Sequence, residues 1–179
     1  ESNSSIQTGS FIQYINSPDS LSFLIEGPFS ADVFRMIIIN STAHIKGNRD
    51  EGWREFRRGE NIDIPDYGLK NISPFLIGLF VFPQYYLHLK SSEENILGND
   101  IDFNGETLKF LWNENTKVFS LLDKKSGISA IYSMRKSLAN GYYPAKITIA
   151  AENKSWRISL QITKIVLNKE IPPKTWLIE

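Results

Sequence analysis

The stretch AKITIAAENKSWRISLQITKIVL, residues 145–167, decides the fold. Ile147, Ile149 and Ala151 fall on one side. Trp156, Ile158, Leu160 and Ile162 then alternate with Arg157, Ser159, Gln161 and Thr163. Successive side chains of a strand point to opposite faces, so this is strand sequence with one apolar face and one wet face. After Thr163 the apolar set moves to Ile165 and Leu167, a slip of one residue that predicts a β-bulge.

The same alternation recurs outward from this stretch. Phe11 to Ile15 reads as a strand ended by the turn Asn16-Ser17-Pro18-Asp19-Ser20, after a polar tail over residues 1–8. Leu21, Phe23 and Ile25 alternate with polar neighbours up to Gly27-Pro28. Val33 to Asn40 is the most β-branched run. With Arg35 in water, Val33, Ile37 and Ile39 share its side, and Phe34, Met36 and Ile38 face inward. Thr42 to Lys46, the turn Gly47-Asn48-Arg49-Asp50 and the return run Trp53 to Arg57 read as a hairpin. Further on, Asn104-Gly105 joins Ile101–Phe103 to Thr107–Trp112. Turns at residues 113–116 and 124–127 lead into Val118–Leu122 and Ile128–Met134, and Asn140-Gly141 opens the last strands.

Residues 63–83 differ in kind, because Pro65, Pro74 and Pro83 punctuate them and proline is poorly tolerated inside a sheet. Ser73-Pro74 reads as an N-cap followed by proline at the first helical position, with Phe75, Leu76, Leu79 and Phe80 on one helical face. Asp66 to Ile72 reads as an earlier short helix that buries Leu69 and Ile72, with Asp63 and Asp66 as caps. Gly68 and Gly78 each weaken such helices by about 1 kcal/mol relative to alanine. Both helices therefore need an apolar surface to dock on. Tyr85 to Leu97 is compatible with helix or loop.

The predicted fold is mainly β: a single curved antiparallel sheet of about eleven strands, a half-open barrel, with a short helical lid inserted mid-chain. Its 179 residues favour one domain, placed at 9–179. Hydrophobic residues at 41% and aromatics at 12% supply an ample core. Twenty basic residues balance twenty acidic ones, which argues against nucleic acid as a partner. Arg54, Arg57 and Arg58 cluster beside Trp53 and Phe56 and read as a solvated edge strand. The chain has no cysteine, which removes disulfides, thiol catalysis and thiolate metal sites. No apolar run approaches the ~18 residues of a membrane span. The polar opening Glu1-Ser2-Asn3-Ser4-Ser5 would suit a segment following a signal peptide or a lipid-attachment cysteine.

Chemistry-bearing motifs are scarce. His44 and His88 lie on different elements without companion ligands at metal spacing. There is no Gly-x-Ser-x-Gly elbow and no glycine-rich phosphate loop. Glu93 and Glu94 read as a solvated pair, and the sequon matches at Asn3, Asn40, Asn71 and Asn153 as coincidental. No enzyme activity and no cofactor are expected. What remains is the apolar face and how the helical insertion covers it: either a closed core or a cavity for an acyl chain or similar ligand.

The chain resembles the LolA/LolB-like bacterial lipoprotein-localisation proteins, and the LolB-like outer-membrane lipoproteins most. The resemblance rests on Leu21-Ser22-Phe23-Leu24-Ile25-Glu26-Gly27-Pro28-Phe29 and the strand through Phe34-Arg35-Met36. It continues with the proline-rich insertion ending in Gly78-Leu79-Phe80. It closes with Tyr143-Pro144-Ala145-Lys146-Ile147, Trp156-Arg157-Ile158, Lys164 to Asn168 and Ile171-Pro172-Pro173. It implies a half-closed antiparallel barrel with a helical lid that binds lipoprotein acyl chains in the bacterial periplasm, tethered to the outer membrane through an N-terminal lipid. A lipidated protein or lipid-like ligand would be the partner. The implied wall residues are Phe23, Phe34, Met36, Ile38, Phe110, Trp112, Trp156 and Ile158, and the implied lid residues Leu69, Ile72, Leu76, Leu79 and Phe80. The loop that carries an exposed hydrophobic residue in LolB-like acceptors corresponds to residues 47–52 here, which are polar and charged. An alternative is a structural lipoprotein subunit of an envelope complex, working through protein contacts at a sheet edge or the Trp53–Arg58 stripe.

Overall fold

The computed structural model describes residues 9–17, 20–27, 32–64, 69–81, 100–103, 106–113, 115–116, 118–138, 141–151, 157–166 and 170–178. The fold is mainly β. Its thirteen described strands lie in three antiparallel sheets, of five, six and two strands, none closed into a barrel. The chain divides into two compact units, residues 1–61 with 168–179, and residues 62–167.

The first unit is a meander in the order β1 (Ser10–Ser17), β2 (Ser20–Glu26), β3 (Asp32–Ile39), β4 (Thr42–Gly47) and β5 (Arg54–Arg57). Register places Leu21, Phe23 and Ile25 of β2 opposite Ile38, Met36 and Phe34 of β3, and Met36 and Ile38 opposite Ile45 and Ala43 of β4. Residues directly opposite share a face, so these side chains form one apolar surface. Most of them are buried, as the alternation predicts. The other face was expected to be wet, and at its centre it is not: Ile37 is 0% exposed and Ser22 3%. Arg35, also expected in water, is half-buried, and its Nη2 donates to the carbonyls of Lys174 (3.2 Å) and Thr175 (3.1 Å). These carbonyls belong to a 3-10 turn, Pro173–Trp176, which returns to this unit from the far end of the sequence. No alternation pattern within β3 can reveal a hydrogen-bond partner for Arg35 supplied about 140 residues later. β5 is the sheet edge, with Arg54, Arg57 and Arg58 exposed as expected.

The second unit opens with a hairpin of β6 (Ile62–Ile64) and β7 (Leu69–Ile72). The early helix expected over Asp66–Ile72 is therefore corrected at Leu69–Ile72. The backbone pairs Ile62 with Ile72, Asn71 takes φ 54, and its N–H donates to Asp63 Oδ1 at 2.7 Å. Asp63 holds a strand partner instead of capping a helix, and a left-handed residue interrupts a right-handed helix. Asp66 lies outside the described residues. Helix α1 follows at Pro74–Phe80 with Ser73 at its N-cap, as read from Ser73-Pro74, although the Ser73 side chain makes no cap hydrogen bond.

The main sheet of this unit runs β13-β12-β11-β10-β9-β8, from β8 (Asp100–Phe103), β9 (Glu106–Asn113), β10 (Val118–Asp123), β11 (Ile128–Leu138), β12 (Gly141–Ala151) and β13 (Arg157–Gln161). Register aligns Trp112, Phe119, Tyr132, Ile147 and Leu160 in one row, and Phe110, Leu121, Ala130, Ile149 and Ile158 in the next. The opposite face carries Arg157, Ser159 and Gln161, all exposed. The apolar and wet faces read from residues 145–151 and 157–162 thus stand, while Trp156 lies outside the described residues. The bulge predicted beyond Thr163 does not: β13 ends at Gln161, Ile162 N donates to Ala145 O at 2.8 Å, and residues 163–166 leave the ladder. Once the chain leaves the sheet, no register exists to slip.

Candidate functional site

The expected apolar site residues divide between the units. Phe23, Phe34, Met36 and Ile38 are buried in the first unit. Phe23 stands opposite Met36, and its ring lies 5.8 Å from Phe11. Within that face Gln13 stands opposite Phe23, and its Nε2 is buried without a hydrogen-bond partner. Ile72, Leu76, Leu79, Phe80 and Phe110 are buried in the second unit, where Trp112 and Ile158 are half-buried. Leu69 takes its place in β7 through its backbone, while its side chain and all of Trp156 lie outside the described residues, as does His88.

In the second unit the structure gathers an aromatic cluster. Trp112 and Phe119 are cross-strand partners with ring centroids 4.1 Å apart, and Phe110 lies 5.4 Å from Phe119. Such tilted pairs contribute about 0.5–1.5 kcal/mol beyond the area they bury. One row-mate of Trp112 reaches the helix: Tyr132 Oη donates to the carbonyl of Phe80, buried, at 3.0 Å. Phe80 ends α1, so this hydroxyl satisfies one of the carbonyls a helix C-terminus leaves open. The helix has seven residues, no acidic residue in its first turn and no basic residue in its last, and all but Ile77 are buried. At that length its stability comes from docking and not from its own hydrogen bonds. The second unit therefore holds an apolar helix whose C-terminal carbonyl is bonded by a phenol of the sheet. The sequence marked the helix and the sheet face, but the Tyr132–Phe80 bond spans 52 residues and has no local signature.

The first unit carries a groove that the sequence reading did not anticipate. This groove, of about 490 Å³, is lined by Phe34, Arg35, Lys46, Gly47, Asn48, Asp50, Trp53, Lys174 and Leu177. Arg35 and Lys46 stand directly opposite one another on β3 and β4. The Arg35 guanidinium carbon is 5.5 Å from the centroid of the Trp53 ring. Asp50 folds back on its own loop: Oδ2 accepts from Gly47 N at 2.7 Å and pairs with Arg54 Nε at 3.4 Å. The tight turn at residues 47–50 was legible, whereas Lys174 and Leu177 arrive from the distant terminal segment.

Among the described residues no three His, Cys, Asp or Glu side chains gather as a metal site. Buried Asp123 has a structural task, accepting from Lys125 N and Ser126 N in the β10–β11 turn. No family model matches the chain, and no curated protein matches it.

Proposed function

We propose that the chain is a non-enzymatic binder of an acyl chain or similar apolar ligand, carried by a lipidated protein in the bacterial periplasm and acting from the outer membrane. In this reading the antiparallel strands curve as a half-open wall, and α1 is the lid. Leu76, Leu79 and Phe80 would face the ligand from the lid, and Phe110, Trp112 and Ile158 from the wall. The observation that supports it best is the docking of a seven-residue, wholly uncharged helix whose last carbonyl accepts from Tyr132 Oη. Each methylene withdrawn from water contributes about 0.8 kcal/mol, so roughly twelve methylenes bring on the order of 10 kcal/mol. That is ample to displace a helix with little stability of its own.

The test is displacement of a fluorescent acyl probe from the purified protein by a palmitoylated peptide, with native mass spectrometry of the complex. Saturable one-to-one binding, lost when Phe110 becomes Asp in a protein that keeps its β spectrum, supports the proposal. A folded protein that takes up no probe at any concentration overturns it.

A second reading, a structural subunit of an envelope complex, draws on the opposite face of the same sheet. There Leu111 (37% exposed) and Ile131 (40%) share one cross-strand row with Ser120 between them. Leu111→Lys and Ile131→Lys would abolish assembly under this reading and leave acyl-probe binding intact.

A further inference from the structure

We propose that the groove of the first unit binds a small phosphate-bearing ligand, with Arg35, Lys46 and Lys174 around the phosphate and Trp53 against the body of the ligand. This site is independent of the acyl reading, which concerns the second unit. The groove, about 490 Å³, has the size of a small-molecule site.

Its lining carries three cations and one carboxylate, Asp50. Asp50 is already committed within its own hairpin, accepting from Gly47 N and pairing with Arg54 Nε, and three cations against one carboxylate leave the lining positive. Arg35 donates to two neutral carbonyls, which bring no opposite charge to its guanidinium. Lys46 and Lys174 form no ion pair among the described residues.

Like charges directly opposite on neighbouring strands destabilise a sheet, and Arg35 and Lys46 are such a pair. The strain is relieved when an anion sits between them. Lys174 is brought to the same place because its own carbonyl accepts from Arg35. A guanidinium with two ammonium groups matches a multiply charged tetrahedral oxyanion: arginine supplies forked donors and lysine supplies point charge. Trp53, half-buried, and Leu177, 49% exposed, offer an apolar surface beside the charges. The ligand body that fits is therefore a ring or short hydrocarbon.

The experiment is a titration of the full ¹⁵N-labelled chain with phenyl phosphate at low ionic strength, following the amides of Gly47 and Asn48 and the Trp53 indole N–H. Saturable shifts confined to these groups are expected, with inorganic phosphate binding several-fold more weakly. The double variant Lys46→Gln/Lys174→Gln should weaken binding by about tenfold or more without lowering the thermal midpoint. Lys46→Arg should retain binding, and Lys124→Gln, which alters a lysine paired to Asp100 in the other unit, should change nothing. Dihexanoyl phosphatidic acid, titrated as a monomer, separates the sources. Tighter binding than phenyl phosphate assigns a lipid headgroup, and weaker binding a soluble phosphate ester. Absence of saturable shifts overturns the proposal, as does equal loss in the Lys124→Gln control. Equal affinity for inorganic and phenyl phosphate overturns the role of Trp53.

Discussion

Ser41 adopts φ 69 and Asn40 φ 50 in the two-residue link between Ile39 and Thr42, which are cross-strand partners. Two consecutive positive φ values make the turn that matches the twist of β-hairpins. Asparagine tolerates this region, and serine does so at a cost of about 1 kcal/mol. Ser41→Gly should therefore raise the urea midpoint, with a gain of about 0.5 kcal/mol after the extra entropy of the unfolded chain is subtracted. Ser41→Val should lower it. Gln13 is also at odds with its surroundings, a buried Nε2 without a partner on an apolar face. Gln13→Met keeps the shape and removes the unsatisfied donor, so a stabilisation of about 1 kcal/mol is expected in the same assay. Neither feature was visible in the sequence. Asn40-Ser41 lacks the glycine that flags such turns, and Gln13 matters only because β2 sets Phe23 opposite it.

At the scale of elements, the sequence marked α1 through Ser73-Pro74 and the spacing of Phe75, Leu76, Leu79 and Phe80, and it marked β12 and β13 through their alternation. It misplaced β7, because Leu69 and Ile72, three apart, fall on one helical face, and only the pairing with β6 shows the backbone to be extended. The Tyr132 hydroxyl links the helix to the sheet. Tyr132→Phe deletes it and leaves the buried Phe80 carbonyl without that donor, at a cost of about 1–2 kcal/mol. Amide exchange should then accelerate at Ile77 and Val81, whose N–H groups bond to Ser73 and Ile77 within the helix, while Ile147 and Ile149 in the middle of the sheet keep their protection.

At the scale of the whole molecule, the first unit is built from both ends of the chain, and the second from the continuous stretch between them. Truncation after Leu167 removes the carbonyls that Arg35 binds. The expected result is loss of about 1–3 kcal/mol from the first unit alone, seen as faster amide exchange in β3 with that of β11 and β12 unchanged. The amino-acid sequence by itself determined most of the described strands, the α-helix at Pro74–Phe80 and which face of most strands is apolar. These properties depend on side-chain periodicity over a few residues, and periodicity is written locally. The tertiary structure alone decided that the strands part into separate sheets, that Arg35 clasps the terminal turn and that Tyr132 closes the helix. It also brought Lys46, Trp53 and Lys174 around one groove. Those outcomes depend on which backbone groups meet across tens to more than a hundred residues, and no short window of sequence carries that information.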